Sequence, residues 1–145
     1  MNEPFYEFRV LDEALRFEFL SISDQKTIKK IVRYTETNIA QLYNLSLTDL
    51  LDDGTESDMV ISNNQDMEII LATVFRTFHV FLTAYPACQI FFMGSTPVRT
   101  RLYQIAVTRE LTNALEVFDI KGLTDTGFEQ FVVNKPYQAF VFSLK

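Results

Sequence analysis

The chain has 145 residues, 48% of them apolar, with 14 Phe, 6 Tyr and a formal net charge of −6. That length suits one domain, and the aromatic share is enough for a core without metal or disulfide staples. The acidic balance argues against broad, non-specific nucleic-acid binding, which draws on a basic face, and leaves room for a small local basic site. A single cysteine, Cys88, excludes an intrachain disulfide and fits a reducing, cytoplasmic setting.

Residues 1–10 show no basic region followed by a long apolar stretch, so no signal peptide is expected. No uninterrupted apolar run reaches the roughly 18 residues of a membrane span. Apolar and polar residues alternate over 5–10 and 16–22, the period of half-buried strands, with 11–15 as a hairpin loop. Residues 26–36 alternate as well, placing Ile28, Lys30, Val32 and Tyr34 on one face. The lysines suit an edge strand, which charge protects from edge-to-edge pairing; a short helix is the competing reading. A fourth strand is expected over 39–47, ending in Thr48-Asp49, and the four runs suggest an antiparallel meander.

Residues 51–62 read as a loop. Asp52, Asp53, Glu56 and Asp58 surround Gly54, but their spacing does not fit an EF-hand, so a solvated loop is expected rather than a metal site. Asn63 and Asn64 offer a cap for the longest helix, over 65–85. Asp66 and Glu68 complement its dipole, and Pro86 stops it. Ile70, Leu71, Val74, Phe75, Phe78, Phe81 and Leu82 form its apolar face. His79, the one histidine, lies among aromatics and reads as structural, and Cys88 as a small residue beside a buried strand over 88–93.

The turn Gly94-Ser95-Thr96-Pro97 leads from that strand into a second helix. Thr96 is a suitable N-cap and Pro97 a suitable first helical residue, leaving the amides of Val98, Arg99 and Thr100 to point out of the helix end. Arg99 and Arg101 then place two cations where a helix is already electropositive, unfavourable by about a few tenths of a kcal/mol or more. A bound phosphate or carboxylate, or the chain's own acids, would offset this. Ser95, Thr96, Arg99, Arg101 and Tyr103 are therefore a candidate anion site, with Tyr103 one turn from Arg99 and within stacking reach. Val98, Leu102, Ile105 and Ala106 form the apolar stripe of this helix, which is expected to run to about residue 113.

Strands are expected over 116–120, closed by Lys121-Gly122, and over 128–133 and 137–144. The last two are expected to pair as a hairpin across Asn134-Lys135-Pro136. The whole pattern, 1–145, predicts one α+β domain: a curved, mainly antiparallel sheet with two helices on one face. No phosphate-binding, dinucleotide, zinc-protease, CxxC or GxSxG motif occurs, and one His with one Cys leaves little material for zinc or triad chemistry. No cofactor or metal is expected.

Four segments carry a resemblance: residues 43–49 (YNLSLTD), 62–66 (SNNQD) with 71–74 (LATV), 94–103 (GSTPVRTRLY) and 137–140 (YQAF). Together they resemble an uncharacterised family of small bacterial single-domain proteins, a domain of unknown function. The resemblance covers nearly the whole chain and implies no activity. By association rather than chemistry, the resemblance implies a place in a toxin–antitoxin or phage-defence locus.

Should the two helix starts lie on the same side of the domain, Asn63, Asn64 and Asp66 would face Arg99, Arg101 and Tyr103 across a cleft. An Asp66–arginine pair would then be the simplest offset to the dipole. Two readings follow. The first is a binding module for a protein partner or a small anionic ligand, compatible with a homodimer. The second is a phosphate-substrate enzyme, a ribonuclease-like or nucleotide-modifying toxin, with Arg99 and Arg101 stabilising charge and Tyr103 or Asp66 moving a proton.

Overall fold

The alternating runs do form strands, and the aromatic helix covers them. The computed structural model describes residues 5–22, 26–57, 67–94 and 96–145, with backbone alone for 110–115. In chain order the elements are β1 (Phe8–Leu11), β2 (Arg16–Ile22), β3 (Thr27–Glu36), β4 (Leu42–Leu50), β5 (Glu56–Ser57), α1 (Met67–Ala84), β6 (Gln89–Phe92), α2 (Pro97–Val117), β7 (Phe118–Thr124), β8 (Gly127–Gln130) and β9 (Phe140–Leu144).

Among the described residues the nine strands belong to one open sheet, ordered β1-β2-β3-β4-β6-β9-β7-β8 with β5 on β4. Every pairing is antiparallel except β4 with β6, which the α1 crossover makes parallel. The first four strands are the expected meander, and the class is α+β. Register aligns Phe17 with Val32 and Leu47, and Ile90 with Phe142 and Ile120, on one face. Both helices cover that face. Phe92 meets Phe78 of α1 at 5.7 Å and Tyr103 of α2 at 4.5 Å between ring centroids. Tyr34 stacks on Phe81 at 4.2 Å, and its hydroxyl shares a buried 2.7 Å hydrogen bond with Thr77. Although α1 is long and apolar enough to cross a membrane, 56% of it is buried inside the fold.

Four local expectations change. The lysine-bearing strand β3 is interior, between β2 and β4, because Lys30 is matched by Asp49 directly opposite. The acidic loop is in part a tight β4–β5 hairpin. Asp53 there accepts from the Thr55 amide and hydroxyl, and Glu56 from Arg33 and Thr48. Strand β7 runs through Lys121-Gly122 to Thr124, and α2 runs on to Val117. Finally, β8 pairs with β7 rather than with β9, so β7 lies between the last two strands. The turn at Thr124–Gly127, with Gly127 at φ +125°, is shorter than the Asn134–Pro136 connection and closes the hairpin first.

The β1–β2 connection is unusual. Asp12, Glu13 and Ala14 have φ of 51°, 58° and 67°, three consecutive left-handed residues, none of them glycine. The Tyr85 hydroxyl donates to the Glu13 carbonyl at 2.7 Å and ties this turn to the end of α1.

Candidate functional site

At the start of α2 the sequence folds on itself. Thr96 Oγ1 accepts the Arg99 amide at 3.2 Å, as an N-cap should. The Thr96 carbonyl accepts the Thr100 amide at 3.0 Å and its hydroxyl at 3.2 Å, while Thr100 Oγ1 accepts the Gly94 amide at 3.0 Å. Gly94 lies flush on this turn: a Cβ there would sit 2.5 Å from the Thr100 nitrogen. Two of the three amides expected to face outward are thus engaged inside the turn.

The expected site residues do not all converge. Arg101 is exposed, Arg99 is half-buried, and Tyr103 is buried against Phe92. Two residues apart on a helix means about 200° of rotation, so the two guanidinium stems leave α2 on opposite sides. Ser95, Asn63, Asn64 and Asp66 lie outside the described residues, as does Asp58 of the acidic loop. The start of α1 can still be located through Glu68, which pairs with Arg109 at 2.7 Å. A groove between the helices is lined by Met67, Leu71, Phe75, Leu102, Ile105 and Arg109. The Glu68–Arg109 pair puts the start of α1 about 12 Å of helix rise along α2 from Arg101.

The inward face of α2 among the described residues is Thr100, Tyr103, Gln104, Ala106 and Val107, which shares one residue with the expected stripe. Of that stripe, only Ala106 is buried. Val98, Leu102 and Ile105 are 71%, 40% and 44% exposed, one turn apart along the same side of the helix. They continue into the groove, with Arg101 and Arg109 beside them.

A second charged arrangement lies on the opposite face of the sheet. Arg16 of β2 stands directly opposite Arg33 of β3, an arrangement that is repulsive on its own. Glu18 pairs with Arg16 at 2.7 Å and with Lys29 at 3.4 Å, and Glu56 pairs with Arg33. Burial alone would raise the Glu18 carboxyl, but Lys29 and Arg16 outweigh it and hold it below the usual range. The Arg33 hydrogen bond likewise lowers Glu56, helped by Thr48 and opposed by burial. Arg16 Nε is buried and makes no hydrogen bond among the described residues. The alternation of charges at 16, 18, 29 and 33 is visible in the sequence, but their meeting depends on register.

Elsewhere the chemistry is quiet. Cys88 is half-buried, and burial pushes its thiol up, which disfavours the thiolate. His79 is exposed on α1. Among the described residues no group of three or more His, Cys, Asp or Glu side chains is placed to hold a metal ion.

None of the curated proteins and none of the solved structures compared with the chain gave a significant match. A family model does match, and over residues 2–145, essentially from end to end. The chain with this open sheet and partly exposed second helix belongs to DUF6934, a family of unknown function.

Proposed function

We propose that this protein is an interaction module whose docking element is the outward face of α2. One observation carries the reading: Val98, Leu102 and Ile105 stand exposed in register and run into the apolar groove against α1. Large apolar side chains clustered at the surface mark protein contacts more often than scattered ones do. The partner of best fit presents an apolar helix in the groove and acidic residues at its rim, where Arg101 stands exposed and Arg109 makes a solvent-facing pair with Glu68. A product of the same toxin–antitoxin or phage-defence locus is the source that suits this module. The enzyme reading, with Tyr103 as proton donor, gains nothing from a ring stacked in the core.

The test is site-specific photocrosslinking in cells that express the protein. A crosslinker at Leu102 should give one defined protein adduct, lost in Ile105→Asp, while one at Thr35 on the far face of the sheet gives none. Identical adducts from both positions, or none from Leu102, would overturn the reading.

A further inference from the structure

We infer that Glu68 is a built-in stand-in for the partner's carboxylate: it occupies Arg109 at the groove between α1 and α2, and an acid on the docking helix takes its place. This role rests on the docking face of α2 proposed above and adds what the partner must carry. Glu68 and Arg109 both line the groove, one from each helix, and their ion pair at 2.7 Å joins its two walls. A helix that fills the groove at this end therefore meets the pair. It must either cover both charges with its own apolar side chains, which desolvates them at a cost, or separate them.

Exchange is the easier course. The Glu68 and Arg109 side chains are 65% and 42% exposed, and an ion pair so open to water contributes little. Glu68 also stands in the first turn of α1, where the helix dipole favours a carboxylate with or without Arg109 beside it. Arg109 in turn lies in line with the exposed apolar stripe. It follows Leu102 by seven positions and Val98 by eleven, close to two and three whole turns of α2. The rise from Leu102 to Arg109 is about 10 Å. The partner's helix thus sets apolar side chains against Val98, Leu102 and Ile105, and carries an acid about 10 Å beyond the residue that meets Leu102. That acid restores the ion pair Arg109 gave up. A helix with a basic residue there meets a like charge, and one with a neutral residue breaks the Glu68 pair without replacing it, so Glu68 and Arg109 together select among apolar helices.

The crosslinker at Leu102 reads this in cells, with expression held low enough that adduct yield follows affinity. Glu68→Gln should raise the yield about twofold to fivefold, the gain from removing a competing surface ion pair. Arg109→Gln should lower it. Glu68→Gln combined with Arg109→Gln should bring no gain over Arg109→Gln alone, because the competitor then has nothing to hold. Simple relief of repulsion between Glu68 and an acidic partner would instead raise the yield equally in both backgrounds. A yield unchanged by Glu68→Gln, or a gain that persists beside Arg109→Gln, would overturn the exchange and leave the docking face standing. No Leu102 adduct in any background would overturn both.

Discussion

Lys30 and Asp49 stand directly opposite each other across β3 and β4, and they form an ion pair on the helix-covered face with 5% of each side chain exposed. Asp49 Oδ2 is buried and has no hydrogen-bond partner among the described residues. One charge removed alone leaves the other buried and uncompensated. Lys30→Met should therefore destabilise the fold by about 3–5 kcal/mol, whereas Lys30→Met with Asp49→Leu should recover most of that loss. Urea denaturation of the two variants checks this. A single variant near wild-type stability would mean that water reaches the pair.

The charged face of the sheet predicts an acid-side loss of stability. Glu18 and Glu56 both titrate lower in the folded protein than in the unfolded chain, the first held down by Lys29 and Arg16, the second chiefly by Arg33. A lowered carboxyl contributes stability that is complete above its unfolded value, about 4.3, and that disappears as pH falls through the lower folded value. Wild-type urea midpoints should thus fall through that window. Glu56→Gln should be less stable near neutral pH, because Arg33 and Arg16 then face each other with one counter-charge fewer, and it should show a shallower acid slope. An unchanged slope would remove Glu56 from the account.

The strands were legible because a period of two is local, and so was the cap at Thr96, whose bond to the Arg99 amide needs only its neighbours. The inward face of α2 was not. Two of the five buried α2 positions among the described residues are polar: Thr100 is satisfied by Gly94 and Thr96, and Gln104 by the Lys135 carbonyl 31 positions along the chain. A count of apolar residues passes over such a face and selects Val98, Leu102 and Ile105 instead. The Lys30–Asp49 and Arg16–Arg33 relationships stayed hidden for another reason, since both are products of register.

Gly122 is required by a close approach. It lies opposite Phe140 on the core face, and a Cβ there would come within 2.3 Å of the Tyr137 ring. That ring cannot swing away cheaply, because its hydroxyl accepts the Val132 amide at 3.0 Å and donates to Glu129 at 3.0 Å. Gly122→Ala should cost about 1–3 kcal/mol by overpacking. The same substitution in a Tyr137→Ala background should cost much less, and the difference is the coupling between the two sites. Equal costs in both backgrounds would place the strain in the β7 backbone instead.

The left-handed turn at Asp12–Ala14 makes an opposite prediction. Left-handed conformation costs a non-glycine residue roughly 1–2 kcal/mol, and glycine almost nothing. Glu13, at φ 58°, has an exposed side chain, and its contact with Tyr85 runs through the carbonyl, which any residue supplies. Glu13→Gly should therefore stabilise the protein by about 0.5–1 kcal/mol, after the greater freedom of glycine in the unfolded chain is deducted. Glu13→Val, β-branched at the same φ, should destabilise it. Thermal unfolding of both variants decides the matter: if glycine weakens the fold as it does in an ordinary strand or helix, the turn is not left-handed in solution.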